Sequence, residues 1–304
     1  MYSIKQIYRG LRNPLLVGRQ LNKLYYSYRG IESHPKAVNF LDEDWDNLII
    51  LDACRYDSFV EHADLSNGKL EHRYSLGSAT PEFTEKTFAD RRLGDTVYVG
   101  ANTWFLKLRD EINAAIHHFV DLQNGDYEVT WINEELEVVT PETVTRHAQQ
   151  VQSEYPDKRL IIHYLQPHHP FIGPTGEKYL SHQSNSLMEV FREAGPDVDE
   201  RLLRKAYNEN LERVLKAVED LLPELTGKTV VTADHGEMLG DRHEVVPTRD
   251  YGHPKAIYND ILVKVPWYVV DTGERKEVIE EEIREQYIEM EEVDEQLRDL
   301  GYVV

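Results

Sequence analysis

Four short apolar runs constrain the fold more than any other feature of the chain. They are Asn47-Leu48-Ile49-Ile50-Leu51, Thr96-Val97-Tyr98-Val99, Leu160-Ile161-Ile162-His163-Tyr164-Leu165 and Thr229-Val230-Val231-Thr232-Ala233. Each is short, rich in β-branched residues and apolar on both faces, the pattern of parallel strands covered on two sides. Stretches long enough for a helix separate them. The clearest spans about 198–225, where Leu202, Leu203, Tyr207, Leu211, Val214, Leu215, Val218 and Leu222 recur at helical spacing. Strand and helix in alternation predict an α/β fold, a doubly wound, mostly parallel sheet sandwiched by helices. Ligands of such sheets gather beyond the carboxyl ends of the strands, so the residues directly after each run are read first.

Two of those strand ends carry acids. Asp52 follows the first run, in Asp52-Ala53-Cys54-Arg55-Tyr56-Asp57, and Asp234-His235-Gly236-Glu237 follows the fourth. One acid at a strand end reads as a helix N-cap. Two such ends, one with an adjacent Asp-His pair, instead suggest a cation site of carboxylate oxygens and an imidazole, suited to Zn²⁺ or Mn²⁺ more than Ca²⁺. His168-His169-Pro170-Phe171 follows the third run and Tyr251-Gly252-His253-Pro254 lies downstream, both in Gly/Pro-marked loops where binding residues concentrate. The other histidines outside the strands read as structural.

Charge sets further limits. With 34 basic and 55 acidic residues the net charge is -21, which disfavours nucleic acid as a partner. Such acidity, with Arg in excess of Lys, suits a salt-adapted protein whose surface needs screening. A single cysteine, Cys54, excludes an internal disulfide and a Cys-based zinc cluster. No run approaches the roughly 20 apolar residues of a spanning helix, and no signal-like segment opens the chain, so a cytoplasmic protein is expected.

Residues 1–31 hold Lys5, Arg9, Arg12, Arg19, Lys23 and Arg29 and no acid, interleaved with Leu and Tyr. Residues 1–40 therefore read as a basic arm, either a helix packed on its own acidic body or an amphipathic segment lying on anionic lipid at the inner membrane face. Residues 41–304 read as one catalytic domain with a smaller C-terminal portion from about 240, ending in an acidic helix from Glu274 to Asp299. Residues 172–197 read as a long irregular binding segment.

The order Asp-x-x-Arg-x-Asp, His-x-Pro-Phe, Asp-His-Gly-Glu-x-Leu-Gly, and then a histidine before Ile261-Leu262-Val263-Lys264-Val265-Pro266 resembles the alkaline phosphatase superfamily. It is most similar to the sulfatase-like branch with its phosphoethanolamine and phosphoglycerol transferases. The closing Leu297-Arg298-Asp299-Leu300-Gly301-Tyr302 is similar to an ending common in that branch, and the resemblance covers about residues 45–302.

The resemblance implies that Asp52, Asp234 and His235 bind metal. It implies that His168 contacts the ester or leaving group, and that His253 binds either a metal or the transferred group, with His169 beside them. Arg55 matches a motif arginine that orients phosphate or pairs with Asp57. Cys54 lacks the Cys-x-Pro-x-Arg signal of formylglycine sulfatases. The matching nucleophile segment is Ser75-Leu76-Gly77-Ser78-Ala79-Thr80-Pro81, which gives Thr80 as first choice and Ser78 as second. A plain turn whose hydroxyls cap the next helix is the alternative.

An extra Asp-x-x-x-His of two-zinc members is missing between residues 121 and 233, so one divalent metal is expected, Mn²⁺ or Zn²⁺ ahead of Mg²⁺ or Ca²⁺. A second would need His168 or His253. The implied function is a metal-dependent phosphoester hydrolase or phosphotransferase working through a covalent phospho-enzyme, on a small-molecule, glycan or lipid-linked phosphate ester. A sulfuric-ester hydrolase independent of formylglycine and a non-catalytic metal-binding relative are the alternatives.

Overall fold

All four apolar runs are strands of one central sheet in the computed structural model, which describes residues 14–123, 127, 129, 131–133, 136–180, 187–193, 199–283 and 290–299. In chain order the elements are α1 (Pro14–Tyr28), β1 (Asn47–Leu51), α2 (Tyr56–His62), β2 (Gly68–Tyr74), α3 (Thr80–Phe88), β3 (Arg92–Gly100), α4 (Trp104–Leu108) and β4 (Ala115–Asp121). There follow β5 (Trp131–Asn133), β6 (Leu136–Val139), α5 (Pro141–Glu154), β7 (Arg159–Tyr164), α6 (Pro174–Tyr179), α7 (Leu187–Glu193) and α8 (Glu200–Leu221). The chain continues with β8 (Thr229–Thr232), β9 (Met238–Arg242), β10 (Arg249–Gly252), α9 (Asp260–Val263), β11 (Lys264–Val270) and α10 (Met290–Asp299).

The sheet runs β2-β11-β8-β1-β7-β3-β4 and is parallel throughout except for β11, which lies antiparallel between β2 and β8. Every residue of β1, β8 and the middle of β7 is buried, as parallel strands with helices on both faces require. On one side α5 and α2 pack against α8; elsewhere α4 packs against α3 and α10. The strand β1 sits between β8 and β7, with Ile50 level with both Thr232 and His163. Extending that register by two residues brings Asp52 level with Asp234 beyond the carboxyl edge. A slip of one residue would turn one of the two acids to the opposite face.

Some expectations need correction. Residues 274–283, predicted as the start of an acidic helix, are not helical; α10 begins at Met290. At helical spacing Glu277 would face Glu280 and Glu281, with like-charge repulsion. The stretch instead runs along the sheet, its Ile279 and Glu281 N–H groups donating to Asp157 and Gly94 carbonyls. The 172–197 segment is not wholly irregular, since it contains α6 and α7. Residues 1–13 of the arm and the Leu300-Gly301-Tyr302 ending lie outside the described residues. Among the described residues no helix is long and apolar enough to cross a membrane.

Candidate metal centre and nucleophile

The site is built on turns that the sheet and α8 hold in place. After β1 the chain turns through Ala53 at φ 60°, a left-handed conformation costing a non-glycine residue roughly 1–2 kcal/mol. Tyr207 of α8 holds that turn from both ends, its hydroxyl donating to the Ala53 carbonyl at 2.8 Å and accepting the Arg55 N–H at 2.9 Å. The turn aims the Ala53 N–H at Asp234 Oδ1, 3.1 Å away, where the His235 N–H also donates at 2.9 Å. One helical turn along α8, Asn210 donates to the His168 and Pro170 carbonyls, both at 3.1 Å, and accepts the Ile172 N–H at 2.8 Å. Tyr207 and Asn210, three residues apart on one buried face, thus frame both the β1 and β7 loops. Gly236 is required where it stands, because a Cβ there would meet the Ile261 carbonyl oxygen at 2.0 Å.

Asp52, Asp234 and His235 converge with their ligand atoms within 4.8 Å of one another, all buried. Asn102 donates to Asp52 Oδ2 at 2.8 Å, but Asp52 Oδ1 and Asp234 Oδ2 are buried without a hydrogen bond of normal geometry. The His235 ring faces Gly236 O through Nδ1 at 2.8 Å, which makes Nδ1 the donor and leaves a lone pair on Nε2. That Nε2 lies 3.3 Å from Asp234 Oδ2 and 3.8 Å from Asp52 Oδ1. Three electron-rich atoms turned toward one another in a buried site are unfavourable unless a cation lies between them. The set fits a divalent ion with mixed oxygen and nitrogen ligands. Burial and the charge of Asp234 push Asp52 well up, a penalty that a cation between the two carboxylates would relieve.

Thr80 opens α3, and its Oγ1 lies 3.1 Å from His235 Nε2, beside both carboxylates. Ser78 is engaged elsewhere. Its hydroxyl lies 2.9 Å from Glu82 Oε2 and 3.2 Å from the Pro254 carbonyl, and its N–H donates to the same Glu82 oxygen. Glu82 also accepts from Tyr258 and Lys86, so Ser78 belongs to a lock on the start of α3. Neither hydroxyl caps α3: that of Ser78 is turned to Glu82 and Pro254, and that of Thr80 faces Asp52, Asp234 and His235.

A second cluster adjoins the first. His168, His169 and Glu237 bring ligand atoms within 4.8 Å of one another, and His253 Nδ1 lies 3.2 Å from Glu237 Oε1. The rings of His235, His253, His168 and His169 form a column with centroids 4.4, 5.0 and 4.2 Å apart. Burial pushes His168 and His253 well down and His169 to about 3, so these three rings are neutral near pH 7, while burial lifts Glu237 to about 7. Arg55 does not face the column with its guanidinium. That group pairs with Asp57, Asp241 and the Glu237 carbonyl.

Asn102, His163 and Tyr98 were not singled out from the sequence. His163, inside β7, points Nε2 toward Asp52 Oδ2 at 3.9 Å and contacts the Tyr98 hydroxyl through Nδ1 at 2.6 Å; burial lowers it to about 4. A histidine in an otherwise apolar, fully covered strand was the available signal.

No family model matches the chain, and neither does any curated protein. Similar solved structures include the C-terminal periplasmic domain of phosphoethanolamine transferase EptC from Campylobacter jejuni, 14% identical, covering 74% of this chain and 78% of that one, with a TM-score of 0.49. The corresponding domain of EcEptC from Escherichia coli, in complex with Zn, is 12% identical with coverage of 81% and 78% and a TM-score of 0.47. Phosphonate monoester hydrolase of Agrobacterium radiobacter is 12% identical with coverage of 75% and 68% and a TM-score of 0.46. At such identities, and with TM-scores below 0.5, the likenesses carry no conclusion about activity, which rests on the site.

Proposed function

We propose that the chain is a metal-dependent phosphoester hydrolase or phosphotransferase in which Thr80 is the nucleophile. The observation that carries this reading is the placement of Thr80 Oγ1 3.1 Å from His235 Nε2, against two buried carboxylates that each keep one oxygen without a hydrogen bond of normal geometry. Asp52, Asp234, His235 and the Thr80 hydroxyl would hold one divalent ion, Mn²⁺ or Zn²⁺ by the donor set. When bound, that ion lowers the pKa of the hydroxyl, so that its proton leaves to solvent, and offsets charge on the transferring group.

Thr80 Oγ1 then forms a bond to phosphorus as the bond to the leaving oxygen breaks, giving a phosphothreonine. His168 would meet the leaving group, the role that the motif resemblance gives it. It is neutral in the free site, so its service as an acid depends on the bound ester's negative charge holding a proton on its ring. Water or an acceptor alcohol completes the cycle by breaking the Thr80–phosphorus bond. The substrate class is a small, glycan-linked or lipid-linked phosphate ester, met in the cytoplasm or at the inner membrane face.

The test is turnover of aryl phosphate monoester, phosphodiester and sulfate esters with Mn²⁺ or Zn²⁺, with and without chelator, by wild type and Thr80→Ala. Expected is chelator-sensitive phosphate-ester turnover that Thr80→Ala reduces by at least roughly 10³-fold, with a phosphate on Thr80 trapped by acid quench and mass spectrometry. Sulfate-ester turnover that survives the substitution would replace this reading with the sulfuric-ester hydrolase. Metal binding without turnover of any ester would leave a binding protein.

A further inference from the structure

Thr80 and His253 reach the site on separate stretches of chain, one opening α3 and the other directly after β10, where the His253 ring lies 4.4 Å from that of His235. One side chain serves both stretches. Glu82 is the third residue of α3, and from that position a glutamate commonly reaches back to an N–H ahead of the helix. Glu82 does this, its Oε2 accepting the Ser78 N–H at 2.9 Å. Such a cap works equally well in water. Glu82 is nonetheless only 2% exposed, and burying a carboxylate is costly unless donors fill its oxygens.

Its remaining partners lie beyond what a cap requires. Oε1 accepts from the Lys86 ammonium at 2.9 Å and from the Tyr258 hydroxyl, and Oε2 lies 3.4 Å from the Ala256 N–H. The Ser78 hydroxyl, 2.9 Å from Oε2, accepts the Ile257 N–H at 3.4 Å and lies 3.2 Å from the Pro254 carbonyl. Glu82 and Ser78 thus meet the stretch after His253 at Pro254, Ala256, Ile257 and Tyr258.

The helix α1 holds the same stretch and the hairpin before it. Tyr26 packs edge-on against Tyr258 at 5.5 Å. Arg19 forks onto Asp250 and donates to the Tyr251 carbonyl at 2.6 Å, and Asn22 exchanges hydrogen bonds with Val246, both 3.0 Å. Gly18 lets the helix approach, since a Cβ there would lie 2.1 Å from the Thr248 hydroxyl. His253 therefore stands between anchored residues, and the anchor that follows it is shared with the helix of Thr80.

We propose that Glu82 is a positioning residue, which sets the Thr80 hydroxyl against His253 by fixing both stretches to one carboxylate. The inference rests on the phosphoester reading, in which Thr80 attacks phosphorus. Glu82 touches neither ester nor metal in that reading and acts through Thr80. Its loss therefore shows in the rate of transfer to Thr80 and leaves ester and metal affinity near their wild-type values, because Asp52, Asp234 and His235 follow the paired strands β1 and β8.

The test compares wild type with Glu82→Gln and Tyr258→Phe; the second leaves the Ser78 N–H bond to Glu82 in place and removes one donor from the far stretch. Each protein is assayed for single-turnover formation of phosphothreonine from an aryl phosphate monoester, for kcat and KM, for Zn²⁺ affinity by calorimetry, and for amide hydrogen exchange. Expected is a fall in kcat and in the single-turnover rate of roughly tenfold in Tyr258→Phe and more in Glu82→Gln, with KM and Zn²⁺ affinity within about twofold of wild type. Exchange should rise in residues 76–84 of Tyr258→Phe as well as in residues 254–258. Were Glu82 a helix cap alone, Tyr258→Phe would leave kcat and exchange in 76–84 unchanged, and that result overturns the inference. So does a fall in kcat matched by an equal loss of Zn²⁺ affinity, the sign of a site loosened as a whole. Turnover that Thr80→Ala abolishes and Tyr258→Phe leaves alone sinks this inference and spares the phosphoester reading. Absence of ester turnover by the wild type sinks that reading, while exchange rising in both stretches together upholds their attachment to Glu82.

Discussion

The Tyr207 hydroxyl holds a strained turn, and the turn holds Asp234, proposed above as a metal ligand. Removing it in Tyr207→Phe leaves the buried Ala53 carbonyl and Arg55 N–H without that partner, at a cost of about 2 kcal/mol, and lets the Ala53 N–H drift from Asp234. A lower melting temperature is expected, together with Zn²⁺ affinity weaker by about tenfold, the size of effect seen when groups that orient metal ligands are lost. Calorimetric titration of metal into both proteins checks this, and unchanged affinity would show that the turn does not orient the ligand. Asp52, Asp234 and His235 were readable in the sequence because each directly follows an apolar run, where the sheet must present it. Glu237 stood in a quoted motif without a role, since the sequence does not show its neighbour His253. Asn102 and His163 were hidden for a related reason: each meets Asp52 only through the registers of β1, β7 and β3, which join residues 50 to over 100 positions apart. Asn210 sat unremarked beside the apolar stripe of its helix, where only the fold shows that it ties three points of a loop.

Among the elements, α1 depends most on one side chain. Asp250 is fully buried and also contacts His243 Nε2 at 2.8 Å, so Arg19→Ala removes the cation from a buried pair. A loss of about 2–3 kcal/mol is expected, at the low end for such pairs because Arg19 is partly exposed. Limited proteolysis should then cleave within α1 well before the body of the domain, and unaltered cleavage would show that Gly18 and Asn22 suffice to hold it. The sequence offered the arm two readings, and for residues 14–28 the inner face realises the first, packing on the acidic body. Strands β1, β3, β7 and β8 were legible because parallel strands covered on both faces must be apolar throughout. The edge strand β2 was not, because Gly68-Lys69-Leu70-Glu71-His72-Arg73-Tyr74 is largely exposed and polar. Pro266 disguised β11, yet it is tolerated because the pairing with β8 begins only at Trp267. At β4, His117 and His118 interrupt an apolar pattern on a strand that pairs on one side only.

At the scale of the whole molecule, a net charge of -21 is the term that solution conditions control most directly. Raising KCl from roughly 0.1 M to 2 M shortens the screening length to a few ångströms, so self-repulsion of the acidic surface fades. The melting temperature should rise monotonically over that range if the chain is salt-adapted; a flat or falling curve in differential scanning calorimetry would remove that proposal.

The position of β11 sets a timetable for synthesis. Asp52, Thr80, His168, Asp234 and His235 have all been added once residue 235 leaves the ribosome, yet β2, which leads into α3 and Thr80, joins the sheet only through β11. Until residue 270 emerges, the strand before Thr80 has no ladder partner, and the slot beside β8 stands open. A nascent chain halted between those two points lacks the strand that frames the segment leading to Thr80.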